Sequence, residues 1–293
     1  MIPFATNLRA AGLMSLTMAL FCVSDAILKG LFQRLPIGEV MALRGAAVIL
    51  LILAVQGVRG RLPPVAACLE RTTVLRALVE LAVATAFFLA LRAIPLANAT
   101  TLIFASPILM TLLATLVLRE TVGLRRWTAV IVGFLGVLLV TSPGAEGWQP
   151  AALWALLAAG LVAVRDLMTR FIPGHVDAGA VALTTAAVVT AGGLTTLPFA
   201  WVEPTGRELA LIGIGAALIA SAYATIVLTF RMGEMSFVAP FRYISVPLAI
   251  LVGWLAFGDV PGWRMLAGAA VIIASGLFIF HRERLQAARH APA

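Results

Sequence analysis

Charged residues are scarce in this chain of 293 residues. Asp, Glu, Lys and Arg together make up 12% of it, whereas 62% is hydrophobic and the mean hydropathy is +1.05. A water-soluble domain has about twice that charged fraction, because its surface must be solvated. The scarcity of charge therefore excludes an ordinary soluble protein and predicts that the lipid bilayer is the main solvent of the chain.

The residues that build metal, disulfide and catalytic sites are also few. Cys22 and Cys68 form no CxxC pair, and the three histidines lie at predicted span ends or in the C-terminal tail. The sequence contains no GxSxG, HExxH or Walker A motif. These absences predict that the chain is not an enzyme, holds no metal or cofactor, and draws no energy from ATP.

The net charge of +8 is not gathered into one basic patch. The Lys and Arg residues stand between apolar runs, as the loop charges of a membrane protein do, which argues against a nucleic-acid partner. A membrane span needs about 20 mostly apolar residues. Ten stretches meet that requirement: 10–31, 37–56, 73–91, 96–118, 123–141, 150–170, 178–199, 208–230, 236–257 and 262–281.

The loop charges predict the orientation of the chain. With ten spans both termini lie on one face, and that face receives 13 Lys or Arg residues against five on the other. Because loops rich in Lys and Arg stay in the cytoplasm, we expect both termini to be cytoplasmic and the membrane to be the bacterial inner membrane. Residues 282–293 are predicted to form a cytoplasmic tail.

The two halves of the sequence repeat one another. Residues 92–140 align with the chain 139 residues later, which pairs Ser106 with Ser245, and the first span aligns at a shift of 141, which pairs Asp25 with Asp166. Each half, 9–141 and 150–281, holds five spans, an odd number, so the second half must enter the membrane upside down. The predicted fold is therefore an all-α membrane protein with ten transmembrane helices in two inverted five-helix repeats, an architecture of transporters.

Two stretches resemble the drug/metabolite transporter superfamily in its ten-span EamA-type branch. They are "PLANATTLIFASPILMTLLATLVLRETVGLRRWTAVIVGFLGVLLV" and "SFVAPFRYISVPLAILVGWLAFGDVPGWRMLAGAAVIIASGLFIF". Each is similar to the family's fourth-and-fifth-helix signature, with a small-residue start, a mid-helix proline and an acid that closes the helix. The opening "FCVSDAILK" departs from the Trp-Ser or Trp-Asn start of aromatic amino-acid exporters, and with Arg44 it is more similar to a branch that includes riboflavin carriers.

Asp25 and Lys29 lie one helical turn apart inside the first predicted span. Charges within a membrane are costly, so they face protein or water. Two interpretations stay open: Lys29 extends to the membrane boundary with Asp25 as its partner, or Asp25 is a cavity carboxylate that holds a substrate amine or a coupling proton. The second-half copy, Asp166 with Arg170, is interpreted first as a boundary ion pair.

Arg44 and Arg242 are the main candidates for substrate binding. Each lies inside a predicted span, and neither has an acid three or four residues away. A guanidinium is always charged, and its planar fork suits a carboxylate or a phosphate. The alternative for Arg44 is a structural pair with Asp25 or Glu80 across the bundle.

The stretch "PFRYISVP" places Tyr243 beside Arg242 and between Pro240 and Pro247, and Pro107 marks the equivalent place in the first half. A proline inside a span frees a backbone carbonyl, which is tolerated beside protein or a water-filled cavity. Helix breaks at matching positions of both halves indicate a substrate site, although one proline alone is as well explained by a packing kink.

Two further residues complete the candidate site. Glu80 lies four residues after Arg76 and can pair with it locally, and Tyr223 can offer an aromatic face and a hydroxyl or simply pack. The sequence thus predicts a secondary transporter that exports an amino acid or organic anion by alternating access. The alternatives are an importer of a riboflavin-like vitamin and a non-transporting membrane scaffold. The expected partners are a small-molecule substrate, a coupling proton and the bilayer, with monomer and homodimer both left open.

Overall fold

A computed structural model describes residues 4–106, 108–109, 113, 124–141, 149–169, 171–199, 201–232 and 239–290. In that part of the chain every regular element is helical. The first half contains α1 (Phe4–Leu31), α2 (Ile37–Val58), α3 (Val65–Cys68), α4 (Arg71–Ala93), α5 (Leu96–Ile103) and α6 (Leu124–Thr141). The second half contains α7 (Ala152–Thr169), α8 (Ala178–Leu194), α9 (Gly206–Met232), a 3-10 helix (Ala239–Ile244), α10 (Ser245–Phe257) and α11 (Trp263–His290).

The predicted all-α membrane fold is confirmed. Within the described residues, α1, α2, α4, α7 and α9 contain stretches long and apolar enough to cross a membrane. Shorter apolar stretches lie at Ile131–Thr141, Ala178–Leu194, Phe241–Phe257 and Trp263–Ser275. Two predicted spans are not continuous α-helices. The stretch 96–118 is helical only to Ile103 before a turn at Phe104 and Ala105, and the stretch 236–257 contains the 3-10 helix before α10 begins.

Local sequence explains several helix ends. Prolines at 36, 64 and 95 precede α2, α3 and α5, where the missing N–H costs nothing because the first turn has no partner for it. Glu70 caps α4 by accepting from Thr72 and Thr73, and these bonds, that from the Thr72 hydroxyl most of all, lower the pKa of Glu70. Gly258 ends α10 with a φ of 70°, a left-handed conformation that favours glycine.

Packing partners exchange between the two halves. Helix α1 packs on α9, while the corresponding helix of the second half, α7, packs on α4. Equivalent helices of the two halves also pack on one another: α2 on α8, α5 on α10 and α6 on α11. This pattern is the one expected of an internal two-fold relation, and the repeat boundaries 9–141 and 150–281 stay a prediction. The last helix runs on to His290, so most of the predicted tail continues α11 as a helix.

Glycines permit the closest crossing between the halves. A Cβ added to Gly193 of α8 would lie 2.5 Å from the carbonyl oxygen of Gly38 and 2.6 Å from the amide nitrogen of Ala42, both in α2. A Cβ on Gly268 of α11 would lie 2.7 Å from the carbonyl oxygen of Gly136 in α6. Small residues let membrane helices approach backbone to backbone, where packing rather than the hydrophobic effect holds them together.

We predict that Gly193→Ala lowers the melting temperature of the detergent-solubilised protein. The added methyl group meets the α2 backbone, which cannot rotate away, and overpacking of this kind costs about 1–3 kcal/mol. Gly213→Ala in α9 is the matched control, because a Cβ there meets nothing within 4 Å. Equal melting temperatures for the two variants would show that the α2–α8 crossing is not a tight contact.

Candidate functional site

Arg44 is buried where α1, α2 and α9 meet, with 7% of its surface exposed. Its Nη2 atom donates to the hydroxyl of Ser24 at 3.0 Å, and that hydroxyl donates to the carbonyl of Gly215 at 3.3 Å. The Nε atom is buried without a hydrogen-bond partner. Since a buried polar group normally has a partner, this guanidinium has a donor free for a ligand.

Asp25 lies next to Ser24 and is only partly buried. It interacts electrostatically with Arg44, but within the described residues it makes no hydrogen bond and no ion pair shorter than 4.0 Å. The pairing of Arg44 with Asp25 or Glu80 that the sequence allowed is therefore not a direct contact. The Asp25 carboxylate remains available to a proton or to a positively charged group.

Lys29 does not pair with Asp25, which corrects the interpretation of these two residues as a boundary ion pair. Its ammonium donates to the carbonyls of Ile94 at 2.5 Å and Leu91 at 3.4 Å, and it lies 5.4 Å from the ring centroid of Phe257. The last carbonyls of α4 lack partners within their own helix and carry the negative end of its dipole. That site attracts Lys29 more strongly than a carboxylate one turn away on α1.

Glu80 belongs to an ion-pair network between α4 and α7. Both of its carboxylate oxygens accept from Nη1 of Arg165, at 3.2 and 3.1 Å, whereas the local partner Arg76 is 3.7 Å away. Arg165 also donates to Asp166 at 2.7 and 2.9 Å, and Arg76 donates to Thr185 at 3.1 Å. Glu80 and Asp166 are thus held as structural partners of Arg165.

Arg165 is the site residue that the sequence reasoning missed. It lies inside the predicted span 150–170, and no motif of the sequence assigns it a role. The repeat contained the signal that could have found it, because a shift of 141 places Arg165 at the position of Ser24, and Thr185 at the position of Arg44. At each of these two equivalent positions, one half has an arginine and the other half has a hydroxyl side chain.

Arg242 and Tyr243 lie in the 3-10 helix that replaces the expected start of a regular span. The Tyr243 ring packs on Phe104 with centroids 5.1 Å apart, and a shift of 139 makes these two residues equivalent. The Tyr243 hydroxyl and the Arg242 Nε are both buried without a hydrogen-bond partner. The breaks in the two equivalent predicted spans are thus in contact through the rings of Phe104 and Tyr243, and two unused donors lie beside this contact.

The three prolines have different placements. Pro107 lies outside the described residues. Pro240 is part of the 3-10 helix. Pro247 is the third residue of α10, in the first turn, where a proline removes no helical hydrogen bond. The interruption before α10 is therefore seen directly in the backbone between Ala239 and Ile244.

Tyr223 lies between the two groups of charges. Its ring is 49% exposed and meets Phe21 edge-on, with centroids 5.6 Å apart and an interplanar angle of 84°. It interacts electrostatically with Glu80 and with three arginines, Arg44, Arg76 and Arg165. Tyr223 is therefore the described residue that connects the Arg44 side of the site with the Arg165 side.

The described charges around this region do not balance. Four arginines face three carboxylates: Arg44, Arg76, Arg165 and Arg242 against Asp25, Glu80 and Asp166. Unused donors remain on Arg44, Arg242 and Tyr243. A region with one excess positive charge and free donors suits a ligand that carries an anionic or strongly accepting group.

A second group of polar contacts joins the α1–α2 connection and α2 to the α8–α9 connection and α9. Arg34, in the α1–α2 connection, forms a bidentate bond with Glu208 at 2.7 Å and donates to the backbone carbonyl of Glu203 at 2.8 Å. The Glu208 bond raises the pKa of Arg34 above its ordinary value. Glu39, fully buried at the start of α2, accepts from the amide of Val202 at 3.0 Å. The α8–α9 connection is thus fastened to α2.

Known proteins resemble this chain in sequence and in fold. A riboflavin transporter of Vibrio cholerae is 32% identical over 197 residues, which are 67% of this chain and 66% of that protein, just under two thirds of its length. A pseudopaline exporter of Pseudomonas aeruginosa is 27% identical over 266 residues, 87% of this chain and 90% of that protein. A solved crystal structure with 20% identity has a TM-score of 0.63 and covers 96% of this chain and 99% of its own, a likeness of fold.

The match to a family agrees with the architecture. Residues 8–142, which contain most of α1 and all of α2 to α6, match the EamA-like transporter family. The helical fold and the exchange of packing partners between the halves fit the same assignment. The chain is a multi-pass membrane protein whose residues 8–142 form an EamA-like transporter domain, and its named relatives are transporters of the drug/metabolite transporter superfamily.

Proposed function

We propose that this protein is a secondary transporter, and not an enzyme, that moves a small polar metabolite by alternating access. The observation that carries the proposal is that Arg44 and Arg242 each have a buried Nε atom without a hydrogen-bond partner inside the bundle. Burying a guanidinium without satisfying its donors is costly, so such groups persist where a ligand or water completes them.

The substrate class follows from the charges of the site. The excess of one arginine over the carboxylates favours a carboxylate or another anionic group on the substrate, and the free Asp25 carboxylate accommodates an amine. We therefore propose an amino acid or organic anion as substrate, with export as the direction. Arg44, Arg242 and Tyr243 bind its acceptor groups, and Tyr223 packs against it.

Two ion pairs between helices, Glu80–Arg165 and Arg34–Glu208, give alternating access a physical basis. The Glu80–Arg165 network joins α4 to α7 on one side of the site, and the Arg34–Glu208 bond joins the end of the α1–α2 connection nearest α1 to α9 on the other. These are equivalent helix pairs of the two inverted halves. If one ion pair breaks while the other stays formed, the site is open to one face of the membrane at a time.

A vitamin importer is the second candidate. The Vibrio cholerae relative is named a riboflavin transporter, and the Phe104–Tyr243 ring pair provides a surface on which a planar ring system can stack. In that case the unused donors of Arg242 and Tyr243 bind carbonyl oxygens of the ring system rather than a carboxylate.

Purified protein in liposomes decides between these substrates. We expect counterflow of at least one labelled amino acid or organic anion, and we expect Arg44→Ala to weaken its binding about tenfold or more, because a charge-assisted hydrogen bond contributes about 1.5–3 kcal/mol. Arg44→Lys keeps the charge but loses the fork, so it should be impaired as well.

The control variant is Arg61→Ala, in the exposed α2–α3 connection, which should behave as wild type. Counterflow of riboflavin alone would favour the vitamin importer. If no solute moves under any imposed gradient, the transporter proposal is wrong. If transport is intact but Arg44→Ala binds substrate normally, the site assignment is wrong.

Asp25 is the proposed coupling-proton site, because its carboxylate has no direct partner among the described residues. We expect Asp25→Asn to abolish transport driven by a pH gradient, while counterflow of a substrate that lacks an amine continues between equal pH values. Asp177→Asn, at the cap of α8 and away from the site, is the control. A pH-driven flux that survives Asp25→Asn would remove Asp25 from the coupling step.

The bacterial inner membrane, with both termini in the cytoplasm, is the proposed location. In a variant lacking Cys22 and Cys68, a cysteine introduced at Arg61 should react with a membrane-impermeant maleimide only after the cells are opened. A cysteine introduced at Arg207 should react in intact cells, because that position lies on the opposite predicted face. The reverse labelling pattern would overturn the proposed orientation.

A further inference from the structure

A cavity lies apart from Arg44 and Arg242, where the ends of four helices meet. Its walls come from the first turn of α5, the last turn of α6, the C-terminal part of α10 and the start of α11. Its volume is about 200 Å³. At about 30 Å³ for each water molecule of bulk liquid, this is room for a small polar molecule rather than for one or two waters.

The cavity has one acid with an unused oxygen. Asp259 follows Gly258 in the α10–α11 connection, and its Oδ2 atom is buried without a hydrogen-bond partner. Its backbone amide donates to the carbonyl of Gly253 at 3.2 Å, which fixes the carboxylate against α10. A buried carboxylate oxygen without a donor is costly, so the position favours a ligand that brings one.

The nearest buried cation does not supply that donor. Lys29 interacts electrostatically with Asp259, but its ammonium already donates to the carbonyls of Leu91 and Ile94. It therefore lowers the electrostatic cost of the Asp259 charge without completing the hydrogen bonds of Oδ2.

The rest of the wall suits an anionic group. Arg264 lines the cavity from the first turn of α11 and is exposed, with its guanidinium 5.7 Å from the Trp263 ring centroid. Asn98 adds a side-chain amide, and the first turn of α5 has no side chain capping its amides. One carboxylate oxygen without a donor and one exposed guanidinium together match a zwitterion.

Exposed apolar side chains surround this end of the molecule. Trp263 is 69% exposed, Val260 79%, and Trp254, one turn before the end of α10, 55%. Tryptophan is enriched at the level of lipid headgroups, where one part of its ring is apolar and the other polar. The cavity therefore lies at the depth at which a headgroup, and not an acyl chain, meets the protein.

We propose that this cavity binds a zwitterionic group in which a primary ammonium stands next to an anion, as in the headgroup of phosphatidylethanolamine. The ammonium donates to Asp259, and the phosphate accepts from Arg264 and Asn98. A quaternary ammonium has no N–H to donate, so a phosphatidylcholine headgroup of similar size binds more weakly. The site is separate from the transported substrate and from Arg44.

Lipid retention measured by native mass spectrometry tests this assignment. We expect delipidated wild-type protein to retain phosphatidylethanolamine at least about fivefold better than phosphatidylcholine with the same acyl chains. We expect Asp259→Asn to abolish that preference and Arg264→Gln to weaken both lipids. Glu203→Gln, which removes an exposed acid on the same predicted face, should keep the preference of the wild type.

A second variant keeps every charge. A Cβ on Gly253 would lie 3.8 Å from Asp259 Cβ and 3.9 Å from Leu96 Cβ, so Gly253→Ala fits without a clash but narrows the cavity. It should lower retention of phosphatidylethanolamine while the protein keeps the melting temperature of the wild type.

Competition by free phosphoethanolamine or serine would identify a soluble zwitterion as the source of the same chemistry. Equal retention of the two lipids by wild type, or a preference that survives Asp259→Asn, would overturn the proposal.

Discussion

The cost of burying a charge among lipid-facing helices shapes every part of this molecule. A guanidinium inside a bundle must find acceptors for its N–H groups, because neither lipid nor apolar side chains can supply them. Arg165 meets this requirement with Glu80 and Asp166. Arg44 meets it only in part, through Ser24, and keeps an unused donor. The difference between these two arginines separates a structural tie from a candidate binding residue.

The inverted repeat makes such a difference possible without a change of fold. Both halves place a polar side chain at the same point of their first helix, but it is Ser24 in one and Arg165 in the other. Arg44 and Thr185 are related in the same way. Because the halves enter the membrane in opposite directions, one backbone framework presents a satisfied ion-pair network toward one face and an incompletely satisfied arginine toward the other. The asymmetry lies in the side chains.

The same rule applies at the ends of the helices. Lys29 donates to the carbonyls at the C-terminal end of α4 and does not pair with Asp25. Asp259 has an unused carboxylate oxygen in a cavity at the level of the lipid headgroups. One helical framework thus contains two kinds of site in which a buried polar atom lacks a hydrogen-bond partner. The central one suits a solute that comes and goes, and the peripheral one suits a ligand that is always present in the surrounding membrane.

The helical membrane fold and the resemblance to the family follow from the sequence, because apolar run length is a local property. The same linear patterns predict ten spans and an inverted repeat. Arg44, Arg242 and Tyr243 could be named as candidates from their position inside spans. Which charges pair could not be named, because the partners of Glu80 and Lys29 come from helices distant in sequence. Only the packing of α4 against α7 brings Arg165 to Glu80, and only the meeting of four helix ends creates the cavity at Asp259.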